Sequence, residues 1–407
     1  MPKNKTPSPR KSGEKSLNAS EEKQDVLIQR LCDLAIDLVE QEDREAMPDA
    51  LLEKQDEIRK LIRKCIYQKK DTVLYEAIER VQYADSDAWQ FLKMSIEDAS
   101  AAITVRRDEG ELEVNAFVIP LLAHTTGGLR REQCFQDQEA FELLIGSIKS
   151  AQLESPDSTV VLVNHAYHLA EIDGITYSHL NEMVLDALHS MTDKKLTATP
   201  AIARSMAGWP ETYFEPTDMA VELRFLLGFA LKKTGDDFYR LPKDEAGMEA
   251  HFIKRATRFQ EWTLQSALLV KRCLAADPAA IDVNFLYQDL FHGGKESGIA
   301  EYFMLQMMSE LNLDLDEHGV MPEDTGAVVG PADVGDEMVL RVNLYASRDG
   351  VLLASSDKPL GVTRDMQLEV ADTYDALMTI GVKAVSLAMR FDAEGKPVDV
   401  RPYDPDE

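Results

Sequence analysis

A mixed α/β protein with a helical front section is the fold class this sequence predicts, and three observations predict it. Apolar residues recur every three or four positions from Leu27 to about Ile103, the period of amphipathic helices. From about residue 111 that period gives way to β-rich apolar runs alternating with helical stretches, the pattern of a mixed α+β or α/β body. At 407 residues the chain is long enough for two or three domains with their own cores. On these patterns it divides into a disordered basic tail (1–20), a helical section (21–104), a first α/β half (105–242), a bridging helix (243–276) and a second α/β half (277–407).

The tail combines Lys, Ser, Pro and Asn with almost no large apolar side chains, so ordering it has little to offset its entropy. Ser20 is positioned to cap the first helix, with Glu21 and Glu22 at its positive end. That helix carries the stripe Leu27, Leu31, Leu34 and Leu38. The second starts near Pro48 and buries Leu51, Ile58, Leu61, Ile62 and Cys65. Thr72 to Val81 forms the third, with Val73, Leu74, Ala77 and Ile78 inward. Ser86 to about Ile103 forms the fourth, with Phe91, Leu92, Ile96 and Ala99 inward. Their charged outer faces read as solvated surface.

In the body, Val114–Leu122 reads as a strand, Phe135–Leu153 as a helix, Val160–Leu169 as a strand, Tyr177–Met191 as a helix and Val221–Leu231 as a strand. Residues 244–275 form a long helix, Ile281–Leu290 a strand and Ser297–Leu311 a helix. The acidic, Gly- and Pro-containing stretch 313–336 reads as a surface loop. Val339–Ala346 and Val351–Ala354 pair as a hairpin around Arg348-Asp349-Gly350. Leu368–Ile380 is helical, Val382–Phe391 a strand, and a short strand follows near Val398–Arg401. Strings recur in order across the two halves: Glu113-Val114-Asn115 with Asp282-Val283-Asn284, Gly127-Gly128 with Gly293-Gly294, Val161–Asn164 with Val339–Asn343, and Ala220–Leu223 with Ala384–Leu387. A duplication accounts for them, as do two ordinary α/β segments sharing strand vocabulary.

The net charge is −28, and residues 1–20 contribute +4 through Lys3, Lys5, Arg10, Lys11 and Lys15 against Glu14, leaving −32 on the remainder. Such a body repels nucleic-acid backbone and anionic membrane and attracts basic protein partners; only the tail suits nucleic acid. The apolar runs fall short of the roughly 18 residues of a membrane span, and the N-terminus lacks a signal-peptide core. Cys32, Cys65, Cys134 and Cys273 are scattered with no C-x-x-C pair, which points to reduced thiols and a cytoplasmic setting.

One string has the form of a phosphate site. His292-Gly293-Gly294-Lys295-Glu296-Ser297 follows an expected strand and opens an expected helix. Adjacent glycines there let backbone N–H groups approach an anion, with Lys295 adding charge. The string resembles the pyrophosphate loop of ATP pyrophosphatases, Ser-Gly-Gly-x-Asp-Ser, with Gly293, Gly294 and Ser297 matching and His292 and Glu296 departing. That resemblance implies a nucleotide or phosphate ligand held by His292, Gly293, Gly294, Lys295 and Ser297; the other reading is a structural turn. His124, Gly127 and Gly128, beside Arg130 and Arg131, form a second polar loop at a strand end. His165, His168, His179 and His189 fall in one βα unit with Asp173, but strand alternation separates the first pair and ten residues the second, so no metal site is expected. Asp314–Gly319 opens like a calcium loop, yet Thr325 stands where the bidentate Glu is needed. No Walker loop, Gly-x-Ser-x-Gly or Gly-x-Gly-x-x-Gly occurs, and no catalytic set or cofactor emerges. These features lead to an acidic interaction or regulatory protein, with a phosphate-binding protein or enzyme at 292–297 as the alternative.

Overall fold

The computed structural model describes residues 13–40, 49–107, 110–125, 135, 137–192, 221–275, 277–286, 290–335, 337–360 and 365–404. The front section is four helices: α1 (Gly13–Val39), α2 (Asp49–Tyr67), α3 (Asp71–Gln82) and α4 (Ser86–Ala101). They bury one core containing Leu31, Leu34, Leu38, Ile58, Ile62, Ile78, Leu92 and Ile96, the stripes read from the sequence. Asp85 caps α4 by accepting the Ala88 N–H at 2.8 Å. Helix α1 begins at Gly13, inside the segment expected to be a disordered tail, so Ser20 lies within the helix. The rest of that expected tail, residues 1–12, lies outside the described residues.

The chain then enters a first sheet in the order β1-β2-β4-β3, built from β1 (Ala102–Arg107), β2 (Gly110–Thr125), β3 (Thr159–His168) and β4 (Val221–Lys233), with β5 (Ile281–Phe285) on β2. All its pairings are antiparallel. Strand β1 occupies one part of the free edge of β2 and β5 another, since β1 reaches Asn115 and β5 starts opposite Leu121. Ala102 and Ile103, the first residues of β1, were expected to end the fourth helix. Phe117, Ile119 and Leu121 of β2 face α5 (Gln138–Ser150). The intervening Val114, Ala116, Val118 and Leu122 face α7 (Tyr177–Thr192). A five-residue helix, α6 (Leu169–Asp173), links β3 to α7. The expected bridging helix is α8 (Glu245–Leu274), packed with α5 through Phe259, Trp262 and Val270.

One long helix, α9 (Phe291–His318), connects the two sheets. Its first half sets Phe291 and Ile299 on the first sheet, and its second half sets Met304, Met307, Leu311 and Leu315 on the other. That second sheet has the order β12-β9-β6-β7-β8: β6 (Thr325–Val334), β7 (Glu337–Ala346), β8 (Leu352–Pro359), β9 (Ala384–Leu387) and β12 (Arg401–Pro402). The β6–β9 pair is parallel and the others antiparallel. Helix α10 (Met366–Ile380) precedes β9, and the short strands β10 (Arg390–Phe391) and β11 (Pro397–Val398) pair separately. The expected hairpin is β7–β8.

Three further expectations change. The stretch 313–336 is not a loop. Leu311 and Leu315 extend α9 to a left-handed Gly319 at φ +63°, and β6 follows. Gly330 in that strand serves packing, because a Cβ there would lie 2.6 Å from the Ala388 carbonyl oxygen. Pro331 is tolerated because β9 pairs only as far as Val329, leaving the β6 backbone free on that side. The strand expected over Ile281–Leu290 stops at Phe285. The matched strings of the two halves do not share a topology: β5 joins the first sheet beside β2, β3 neighbours β4, and β7 is separated from β9 by β6.

Candidate functional site

The phosphate-like string is built into the first turn of α9. Gly294 N–H donates to the Leu290 carbonyl at 2.8 Å, so that donor is taken by the helix. His292 Nε2 is 2.9 Å from Ser100 Oγ on α4 and its ring packs on Tyr177. Desolvation, then Lys295 and Lys93, push the His292 pKa down to about 3, so the imidazole is neutral at ordinary pH. Lys295 pairs with Asp173 at 3.0 Å. Gly294 is buried. The string is thus the first turn of a helix, with the Gly294 N–H, His292 and Lys295 each engaged within the protein. Asp173, singled out with the histidines, is thus brought to Lys295.

The second half of the string does reach a concavity. Glu296 and Ser297 line a groove of about 280 Å³ between α4, α9 and α10. Helix α4 contributes Trp89, Lys93 and Glu97 at spacings of four, one per turn on a single face. Helix α10 contributes Asp365, Glu369 and Asp372. Five carboxylates therefore line the groove with one lysine. Lys93 Nζ lies 2.8 Å from Glu296 and 3.8 Å from Glu97, and 5.4 Å from the centre of the Trp89 ring. Glu369 pairs with Lys358, a fully buried lysine of β8. Asp365 caps α10 through Gln367 N–H at 2.8 Å. Neither Asp365 nor Asp372 has a cationic ion-pair partner among the described residues. The Trp89 indole N–H is buried with no acceptor there.

Electrostatics follow from this crowding. Desolvation raises the Glu97 pKa to about 7, with Glu296 and Asp98 adding to the rise and Lys93 and Lys295 opposing it. Burial, then the neighbouring Glu369, pushes the Asp372 carboxyl up, with Lys358 opposing. A cation entering the groove would relieve both.

The other sequence-marked residues lie elsewhere. His124 is exposed near the end of β2, in register with Asp282 of β5; Gly127 and Gly128 lie outside the described residues. A register shift between Leu162 and Ala166 interrupts the β3–β4 pairing. His165 there lies 3.4 Å from Glu171, and that carboxylate accepts the His168 backbone N–H. The His168 side chain caps α6. Arg224, also buried, pairs with Glu222 at 3.1 Å. His179 and His189 are exposed on α7. Among the described residues no group of three or more His, Cys, Asp and Glu is arranged to hold a metal ion, and no helix is long and apolar enough to cross a membrane. Trp89, Lys93, Glu97, Asp365 and Asp372 were not marked as site residues; the i, i+4, i+8 spacing of the first three was the available signal.

A family model described as Protein of unknown function (DUF2863) matches residues 18–291. This is two thirds of the chain, and the chain belongs to that family. The match spans the helical section and the first sheet and ends at the first residue of α9. No curated protein and no solved structure matches the chain.

Proposed function

We propose that this member of the DUF2863 family is a non-catalytic cytoplasmic interaction protein that receives Lys or Arg side chains of a basic protein partner in the groove between α4, α9 and α10. The observation that carries this reading is the groove lining of five carboxylates, with Asp365 and Asp372 lacking cationic partners among the described residues. An aromatic wall beside carboxylates suits a cationic side chain. His292 and Lys295, the groups best suited to an anion, are engaged with Ser100 and Asp173, which disfavours the phosphate alternative. Cys32, Cys65 and Cys273 are buried free thiols, in keeping with a reducing compartment.

The test uses a fluorescent octapeptide of alternating Lys and Arg, with an octaglutamate control, titrated by anisotropy at physiological salt. Asp365→Asn with Asp372→Asn removes two charges while retaining a capping side chain at 365. Binding of the basic peptide is expected to weaken at least tenfold in that variant. The exposed pair Glu53→Gln with Asp56→Asn on α2 is expected to change it by less than twofold. Equal losses in both variants would reduce the effect to net charge and overturn the reading.

A further inference from the structure

We propose that two copies of this chain pair antiparallel along the outward face of α8, about a two-fold axis level with Arg258 and Phe259. The inference stands apart from the groove and from the partner reading above. The inward stripe of α8 seats Phe259, Trp262, Val270 and Cys273 in the core it shares with α5 and the first sheet. On the other side of the helix, Ile253, Leu264 and Leu268 are 60%, 84% and 59% exposed. At about 100° per residue these three fall in one stripe, roughly half a turn round the helix from the inward one. Surface hydrophobics scattered singly need no partner, whereas an apolar stripe along a helix is the mark of a helix–helix seam. The amino-terminal half of α8 adds to the case. No residue of 245–258 is buried, which leaves about 21 Å of helix without a core. Helices in proteins draw most of their stability from packing an apolar face, and a second α8 supplies one.

The face is complementary to itself, which selects a second copy as its occupant. Written as a heptad, it places Ala250, Thr257 and Leu264 at a and Ile253, Gln260 and Ala267 at d. Lys254, Glu261 and Leu268 then fall at e. A two-fold axis perpendicular to the helices makes the contact isologous and sets e against e. The register that lays Ile253 on Leu264 of the second copy also lays Thr257 on Gln260 and Ala250 on Ala267. It brings Lys254 to within about 3 Å, along the helix axis, of the level of Glu261 of the second copy, and every contact occurs twice. Lys254 and Glu261 are both exposed. Among the described residues the ion pairs of α8 are made by Lys271 and Arg272, and Lys254 and Glu261 make none. Each meets its opposite charge on the second copy. The central Thr257–Gln260 layers fix the register, as a polar residue does in a coiled coil, and antiparallel helices oppose their macrodipoles. The chain as a whole carries −28, so its other faces repel a second copy. Helix α8 mixes five Lys or Arg with three Glu and escapes that penalty. The area is adequate as well. Helix α8 is 30 residues long, and α5 lies beside it with Leu143 half exposed. Together they present about 650 Å² in projection, on the scale of the roughly 800 Å² of accessible surface that each partner buries in a standard interface.

Sedimentation velocity of the full-length chain over a concentration series from about 1 to 100 µM tests this. A species of twice 45.6 kDa is expected. Leu264→Glu with Leu268→Glu changes two exposed positions and is expected to give a monomer that keeps its near-ultraviolet circular dichroism. Leu313→Glu, at an exposed leucine of α9, is expected to leave the dimer intact. Lys254→Glu sets carboxylates against each other across the axis, and should raise the dimer dissociation constant about tenfold or more. Adding Glu261→Lys to it should restore the wild-type value to within about threefold, because the reversed charges again meet their opposites. A wild-type chain that stays monomeric throughout, or a dimer that survives Leu264→Glu with Leu268→Glu, would overturn the pairing. Weakening by Lys254→Glu that Glu261→Lys does not rescue would overturn the antiparallel register.

Discussion

The two sheets of this molecule solve burial differently. Strand β2 of the first sheet is buried without interruption from Val114 to Ala123, because α5 and α8 cover one face and α7 with the start of α9 covers the other. Strand β8 of the second sheet buries only alternate positions, Ala354, Ser356 and Lys358. Helices α9 and α10 cover one face there. The opposite face carries polar pairings, with Arg341 on Asp357 and Asn343 on Ser355 and the Gly395 carbonyl. The first sheet is held mainly by apolar volume, with Arg224 on Glu222 as a buried ion pair within it. The second admits a buried ion pair, Lys358 with Glu369, at the margin where the sheet meets the groove. The contrast teaches that a sheet covered by helices on both faces buries its strands continuously, whereas the second sheet, covered on one face, alternates and keeps a polar face.

The largest test of that contrast is Lys358→Ala. It strands Glu369 in a buried site, and such a loss costs about 3–5 kcal/mol. Urea unfolding should show this, and Lys358→Met with Glu369→Leu should recover most of it. A single-variant loss under 1 kcal/mol would erase the difference between the sheets. In the first sheet the corresponding weakness is steric. A Cβ at Gly228 would meet Phe117 Cζ at 2.2 Å and Leu162 Cδ2 at 2.8 Å. Gly228→Ala is therefore expected to cost about 2–3 kcal/mol by overpacking, with part of it restored by Phe117→Leu. If both substitutions are neutral, β4 is less tightly packed than the first sheet requires.

A pH titration sharpens the picture at the groove. Folded Glu97 holds its proton to about pH 7, against an ordinary 4.5. The folded state thus binds more protons in that window, and its stability falls as pH rises from 4.5 to 7. His292 acts oppositely: it stays neutral down to about 3 against an ordinary 6.5, so its contribution is lost as pH falls below 6.5. Glu97→Gln should remove the first slope and gain on the order of 2 kcal/mol over wild type between pH 5 and 8. Parallel stability curves for the two proteins would place Glu97 in water. The smallest effect belongs to the polar face of the second sheet. Arg341→Ala breaks a 2.6 Å pair with Asp357 that is partly exposed, and should cost no more than about 1 kcal/mol in the same assay.

Much of the fold was legible because its signals are local. The stripe from Leu27 to Leu38 and the hairpin turn at Arg348-Asp349-Gly350 each depend on neighbours within a few residues. The stretch 313–336 was misread because Gly and Pro mark turns in general, whereas Gly330 and Pro331 sit in a strand whose partners, Ala388 and the end of β9, are more than fifty positions away. The phosphate-like string is ambiguous for a related reason. Gly293-Gly294 signals close approach, and the chain alone does not say whether an anion or another helix approaches.

The sequence by itself determined the helical section, the change of period near residue 111, the acidity of the body and the basic character of the first residues. Those properties are sums or short periodicities along the chain. Only the tertiary structure decided which charged face was more than solvated surface. Lys93 and Glu97 look the same in sequence as Glu53 and Asp56, all of them polar positions on amphipathic helices. What separates them is that α9 and α10 close over one face and leave the other open. Desolvation and the proximity of like charges then shift Glu97 and Asp372. Both effects scale with distance in space, which spacing along the chain does not encode.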